Sequence, residues 1–233
     1  ERSKILSREK SWLGLIIQIS SVSTPSMDTM CKEICSNSKL VLLSHYATRP
    51  ASLFDGVTMN LTIVISNNNW ESMPTVKSTN YQRWHSELRE DLFATINNNE
   101  ILIKNYFSFA VPKFSNSFEN GILKKITKNT KTIGDYLATS NSEKNRLHYR
   151  TAGGRYFKIF VDKSFGTDSK SNKSKSIDGE YSLFNILAVL SSNTWWWWYT
   201  LHFDMYNCKD YMMFSFPYTY SQNNDIDELG RLL

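Results

Sequence analysis

Aromatic and cationic side chains, rather than a nucleophile or a metal cluster, carry the chemistry that can be read in this sequence. Phe54 stands before a tight Asp55-Gly56 turn that leads by a polar approach into an apolar stretch ending at Ser66, and Arg49-Pro50 lies just upstream. A ring at such a turn can stack a planar ligand, and its competing role is to anchor the loop onto the core. An arginine on an extended path before proline can reach a phosphate, pair with Asp55, or remain a solvated charge. Further on, Arg146, His148, Arg150, Arg155 and Lys158 interleave with Tyr149, Tyr156 and Phe157, and Lys163 follows. That pattern suits a DNA-facing hairpin in which most cations meet phosphates and one or two read base edges. Strand alternation would divide the charge between two faces. Lys170, Lys173 and Lys175 could track a phosphate backbone, although a solvated loop is the default. The run from Trp195 to Trp198 suggests stacking on single-stranded nucleic acid. Four consecutive helical positions point around the whole helix, however, so most of the run belongs in a core.

Several enzyme signatures are missing. No Gly-x-x-x-x-Gly-Lys-Ser/Thr, His-Glu-x-x-His or Gly-x-Ser-x-Gly pattern occurs, and Asp162-Lys163 lacks the upstream carboxylate of a nuclease site. The three cysteines are an odd number, and Cys31 and Cys35, one helical turn apart, have no His or Cys partners for zinc. They read as reduced thiols on a buried helix face, with no metal. His45 lies inside an apolar strand and reads as structural. A formal charge of +5 over 233 residues favours a polyanionic partner without naming one. No run of about eighteen apolar residues is present, so no transmembrane helix is expected, and the thiols read as reduced are those of a cytoplasmic protein. The chain opens on Glu1 without a signal peptide, as an internal piece of a longer protein would.

The elements expected to position these residues begin with a strand at 12–20, apolar enough to be buried on both faces of a parallel sheet. A helix over 26–36 follows, with Ser26 as its cap, and then strands at 40–46 and 59–66. Strand, helix, strand, turn, strand is the closing portion of a doubly wound α/β sheet whose last pair is antiparallel. Residues 67–69, all asparagine, break the pattern. An amphipathic helix is expected over 81–96 on Trp84, Leu88 and Leu92, and another over 115–128 with Phe118, Ile122, Leu123 and Ile126 inward. A hairpin or bulged turn is expected around Gly153-Gly154 between strands at 147–150 and 156–161, then an exposed loop over 166–179. A helix over 181–199 would face Leu183, Ile186, Leu187 and Leu190 inward.

Residues 12–66, with Ser23-Thr24-Pro25 after the first strand and the 49–66 segment at its end, resemble the part of adenine-specific (N6) DNA methyltransferases of the Type IIG and related restriction–modification kind that follows their catalytic tetrapeptide. A weaker likeness to their target-recognition regions continues through 146–158 and 188–199. The glycine-rich cofactor loop and the Asn-Pro-Pro-Tyr tetrapeptide of that family are absent from these residues. The resemblance implies an α/β class I methyltransferase sheet represented by its last strands, followed by an α+β target-recognition domain. It divides the chain into 1–75 as catalytic-domain remainder, 76–100 as a helical connector and 101–233 as DNA target-recognition region. It implies Phe54 as the ring stacking a flipped base, Arg49, Arg150, Arg155, Lys158 and Lys163 as DNA contacts, and S-adenosylmethionine as a cofactor bound by other parts of the parent. Double-stranded DNA is the implied partner, with a restriction endonuclease, fused or separate, as a second. This chain alone is expected to be inactive. A non-catalytic DNA-binding specificity module shares every basic and aromatic feature.

Overall fold

The computed structural model describes residues 2–69, 74–102, 107–140, 142–152, 159–161 and 163–233, of which 160 and 161 by backbone alone. Its contacts divide the chain into two compact units. Unit 1 is Glu1–Lys124 with Thr200–Asp204, and unit 2 is Lys125–Tyr199 with Met205–Leu233.

Unit 1 is a mixed α/β unit built on a five-stranded sheet. Strands β1 (Trp12–Gln18), β2 (Leu40–Tyr46), β3 (Leu61–Asn67), β4 (Thr75–Gln82) and β5 (Asn99–Glu100) run in the order β1-β3-β2-β4-β5. β3 lies antiparallel between β1 and β2, pairing Gln18 with Leu61 on one side and Tyr46 with Leu61 on the other. β4 runs parallel to β2, with Tyr46 opposite Gln82. The carboxyl ends of β1, β2 and β4 therefore share one edge of the sheet. The expected antiparallel last pair of the 12–66 segment is present as β2 and β3.

Helix α1 (Arg2–Leu6) precedes β1, and α2 (Asp28–Cys35) connects β1 to β2. α2 covers one sheet face, where Cys31 and Ile34 join Val22, Val41, Leu43, Val64 and Val111 in a core. Cys31, Cys35 and Cys208 are free thiols. The cap of α2 is Met27 rather than Ser26, because the 3-10 turn Pro25–Met27 takes up the residues that would have started the helix. Lys4 of α1, buried, donates from its amine to the carbonyls of Glu33, Ile34 and Ser36, the unsatisfied acceptors at the end of α2.

Further expectations are corrected in this unit. β1 is an edge strand: its exposure alternates, and Trp12 and Ile16 stand open at 60% and 52%, so its apolar run is not a strand buried on both faces. Residues 76–100 are not a helical connector. Thr75–Gln82 is a strand of the same sheet, and the boundaries expected at 75 and 100 both fall inside unit 1. The helix expected over 81–96 is reduced to a 3-10 turn, Ser86–Leu88. Its stripe of Trp84, Leu88 and Leu92 is split because the backbone at Trp84 accepts from Ala51 N at 3.1 Å; Trp84 and Leu92 then pack on Tyr46, Leu53 and Leu61 while Leu88 faces out.

Helix α3 (Glu119–Ile126) begins where Glu119 accepts from the Ser115 amide at 3.2 Å. It buries Leu123 but leaves Phe118 and Ile122 exposed, since its inner face is taken by Glu119 and Asn120. Asn120 Nδ2 donates to the Glu100 carbonyl at 2.8 Å, tying the helix to β5.

Unit 2 holds a three-stranded antiparallel sheet, β6 (Arg146–Arg150) between β7 (Ile159–Val161) and β8 (Asn172–Ser176). β8 replaces part of the loop expected over 166–179. Its lysines alternate with serines, the period-two pattern of a strand hidden within a polar composition. The single helix expected over 181–199 is two, α4 (Leu183–Leu190) and α5 (Asn193–His202), broken at Ser191-Ser192. Leu183, Ile186, Leu187 and Leu190 face inward as their spacing dictates. Helices α6 (Asp210–Phe214) and α7 (Asn224–Leu232) follow. Gly230 of α7 lies so close to α4 that a Cβ there would stand 2.0 Å from the Phe184 carbonyl oxygen. In α5, Trp195 and Trp198 are buried while Trp196 and Trp197 are half-buried, the division a helix imposes on four adjacent rings. No described helix is long and apolar enough to cross a membrane.

Candidate functional site

The carboxyl edge of the unit 1 sheet gathers the loops that follow β1, β2 and β4, the place where open α/β sheets receive ligands. The 47–60 loop is held there by backbone and side-chain bonds. Ala47 N donates to the Gln82 carbonyl at 2.8 Å, and Arg89 donates to the Leu53 and Ser52 carbonyls at 3.1 and 3.0 Å while lying 4.9 Å over the Trp84 ring. Gly56 closes the turn with φ of +76°, a conformation that costs glycine nothing. Leu53, 6% exposed, is the residue that anchors this loop on the core with Tyr46, Leu61, Trp84 and Leu92. Phe54, the next residue, is left 43% exposed.

A pocket of about 320 Å³ opens at the end of β4, lined by Asn80, Gln82, Arg83, Asp91 and Thr95 and by Trp84, Leu88 and Leu92, with the Gln82 amide donating to Thr79 Oγ1 at 3.3 Å. Carboxamides offer a donor and an acceptor side by side, the complement of an adenine edge, and the indole supplies an apolar wall. Arg49 is exposed, and its link to Pro50 is cis. Among the described residues Arg49 forms no ion pair with Asp55, so of the roles read from sequence the solvent-facing ones remain.

Beneath this edge lies a set of sealed bases that sequence reasoning left out, His45 excepted. The Lys113 amine, in a side chain 4% exposed, donates to the carbonyls of Leu201 and Phe203 at 3.3 and 3.1 Å and so caps the carboxyl end of α5, where a cation meets the helix dipole. Burial pulls its pKa down to about 7, against the opposing pull of Asp204 and Cys31. His45 is fully buried, with Nδ1 2.9 Å from Thr62 Oγ1, and burial followed by the Lys113 charge holds it well below the ordinary histidine range. His202 is shifted the same way by the same two causes. Asn60 stitches the region together: its carbonyl accepts from Ile19 N at 3.0 Å, its Oδ1 from Thr48 N at 3.0 Å, and its Nδ2 donates to the Asp204 carbonyl at 3.0 Å. These residues touch little solvent and position the loops. No spacing signal marks Asn60, Lys113 or Asp204, because their partners lie far off in sequence.

In unit 2, Arg146 and Arg150 share one face of β6. Arg146 is spent on the Ser142 carbonyl, at 3.2 and 2.9 Å, and Arg150 reaches Ser171 Oγ at 3.4 Å and lies 5.7 Å over the Phe165 ring. Lys163 is exposed. Arg155 and Lys158 lie outside the described residues, as does Asp162. Lys175, read as part of a flexible basic loop, instead pairs with Asp210 at 3.5 Å, on the carboxylate that accepts from Tyr149 at 2.7 Å.

The turn after β1 is the 3-10 segment Ile19–Val22 with Ile19, Ser21 and Val22 buried, and Gly56 is the one glycine in the loops at the carboxyl edge. Among the described residues no group of three or more His, Cys, Asp or Glu could hold a metal ion. No protein-family model matches the chain, and no curated protein matches it.

Proposed function

We propose that this chain is part of a site-specific DNA adenine-N6 methyltransferase of a restriction–modification or phage-defence system, to which it contributes one wall of the flipped-base pocket together with sequence recognition. The observation that carries the reading is the division of labour at the 47–60 loop. Leu53 takes the anchoring role, and Phe54 is left exposed in the loop after β2, while a separate pocket lined in part by Asn80 and Gln82 opens at the end of β4 on the same sheet edge. An enzyme that acts on a base amino group has to take the base out of the stack and hold it against an aromatic face. The exposed Phe54 ring and the polar side chains of Asn80 and Gln82 at the same sheet edge support this reading. The methyl donor and the groups that activate the amine would come from elsewhere in the parent protein, and no step of the transfer is assigned to residues of this chain.

The test uses a DNA duplex with 2-aminopurine at the target adenine, whose fluorescence rises when it leaves the stack. Binding by the parent raises the signal, and Phe54→Ala lowers the rise more than it lowers duplex affinity. An unchanged rise in the variant removes Phe54 from the pocket. A second reading, a DNA-binding specificity module without catalysis, rests on the same basic and aromatic residues. In that case the chain binds duplex DNA with a strong salt dependence, and the fluorescence of 2-aminopurine does not change.

A further inference from the structure

We infer that unit 2 carries a second aromatic pocket, built from Tyr136, Tyr181 and Tyr220 with Lys131 at its rim, that binds a nucleobase bearing a phosphate. This inference goes beyond the reading of the carboxyl edge and does not depend on it.

A cavity of about 230 Å³ opens beside the three rings, which pack on one another, with Thr130, Lys131 and Thr219 completing its lining. That is below the roughly 300–1,000 Å³ of sites for drug-sized ligands, and suits one ring system with a small substituent. Tyr136 and Tyr181 meet edge to face with centroids 4.8 Å apart, Tyr181 and Tyr220 at 5.0 Å, and Tyr136 and Tyr220 at 5.9 Å. The cluster is preorganised by hydrogen bonds. Tyr136 Oη donates to the Tyr218 carbonyl at 3.0 Å and accepts from Tyr220 N at 2.9 Å, and Tyr220 Oη accepts from Ser182 N at 3.1 Å. Tyr136 is itself fixed at the end of the 3-10 turn Ile133–Tyr136, which a Thr132–Asp135 capping box locks. Rings held this way lose little freedom when a ligand arrives.

Charge decides the class of ligand. Three tyrosines around a small cavity would also suit a quaternary ammonium group, but the Lys131 amine already stands 5.8 Å over the Tyr136 ring, where it would repel a second cation and attract an anion. An aromatic anion with a polar edge fits best. Thr130 and Thr219 hydroxyls can exchange hydrogen bonds with the edge of a base, and Thr219 Oγ1, donating to Asn129 Oδ1 at 3.0 Å, keeps its lone pairs for a donor on the ligand. A phenyl phosphate offers no such edge. The phosphate-bearing base could be a free mononucleotide or one unit of a single strand, and stacking platforms with nearby cations serve both.

The test titrates the 233-residue chain, by calorimetry and by NMR, with AMP, CMP, adenosine, a short single-stranded oligonucleotide, phosphotyrosine and tetramethylammonium. Saturable binding of AMP or CMP, tighter than adenosine and weakened at least about fivefold by Tyr181→Ala, supports the pocket, since stacking one base contributes that much or more. Lys131→Glu changes an exposed side chain, so folding is retained, and it should weaken the nucleotide at least as much while leaving adenosine nearly unaffected. A mononucleotide bound more tightly than the oligonucleotide identifies a free nucleotide as the ligand, and the reverse order identifies a strand. Phe54→Ala leaves this binding unchanged, which separates the result from the fate of the carboxyl-edge reading. Preference for phosphotyrosine or tetramethylammonium, or nucleotide binding insensitive to both variants, overturns the inference, as does no binding at all.

Discussion

Beneath the carboxyl edge of unit 1 burial acts on three bases, His45, Lys113 and His202, alongside the buried Tyr46 phenol, whereas behind the β6 sheet of unit 2 it acts on two acids, the Tyr149 phenol and the Cys208 thiol. Burial penalises whichever form is charged. It therefore pushes the three bases down and the two unit 2 acids up, with the Asp210 carboxylate adding to the rise of both acids. The same physical cause gives the two regions opposite responses to pH. The regions differ in filling as well: the edge of unit 1 is joined by side-chain amides, hydroxyls and an amine, and unit 2 is filled by rings such as Tyr136, Tyr149, Trp198, Tyr199 and Phe214.

The largest effect that would sharpen this contrast is Trp198→Ala. The ring is fully buried and meets Phe216 at right angles with centroids 5.8 Å apart, so its loss should cost unit 2 about 3–5 kcal/mol. Hydrogen exchange read peptide by peptide would show protection lost in unit 2 first. Equal loss in both units would mean that their fillings are not separable.

Next in size is the pH response. A base whose folded pKa lies below its unfolded one contributes stability that is complete above the unfolded value and is lost as pH falls. For Lys113 that window runs from its ordinary 10.5 down to about 7, with a slope of at most about 1.4 kcal/mol per pH unit; for His45 and His202 it begins near 6.5 and continues downward. Tyr149 and Cys208 do the reverse, losing stability as pH rises through their ordinary 10.0 and 9.0. Cys35 in α2 is also pushed up, first by its bond with Cys31, so unit 1 is best examined below pH 8. Exchange rates in 40–46 and 110–114 should rise between pH 8 and pH 5 after correction for intrinsic chemistry, and Lys113→Met should flatten the upper part of that change. A response the same in wild type and variant would detach Lys113 from it.

Smaller in stability, but larger in function, is the contrast between Leu53 and Phe54. Leu53→Ala should destabilise unit 1 by about 2–5 kcal/mol. Phe54→Ala should cost well under half of that and, on the proposed methyltransferase reading, reduce methyl transfer by the parent more than DNA affinity. Equal loss of both functions, or loss of folding, returns Phe54 to a structural role.

The smallest effects concern the proposed DNA contacts. Lys163→Ala should reduce the slope of log affinity against log salt by about 1 for duplex DNA. Arg150→Ala should reduce it less, because that guanidinium is already held by Ser171 and Phe165. A larger effect from Arg150 would show that it leaves those partners on binding.

Much of the secondary structure was legible where one period dominated. The strands at 40–46 and 59–66 and the helical face of Leu183, Ile186, Leu187 and Leu190 follow from residue type and spacing, while of the tryptophan run, expected mostly in a core, Trp195 and Trp198 are buried and Trp196 and Trp197 half-buried. Where a segment's pattern depended on its neighbours, it misled. β1 is apolar on both faces yet lies at an edge, Trp84 is drawn from a helical stripe by its bond to Ala51, and the Lys/Ser run of β8 forms a strand because β6 offers it a partner.

The amino-acid sequence by itself determined the α/β character of the first unit, the aromatic filling of the second and the placement of Phe54 at a turn, because periodicity, ring content and turn chemistry are local properties. Tertiary structure alone decided which of two adjacent apolar residues anchors the 47–60 loop, which buried lysines cap α2 and α5, and that Asn60 joins three loops at one edge. Those choices rest on unsatisfied carbonyls and amides that meet across dozens of residues, and such groups are identical in every peptide unit until the fold brings them face to face.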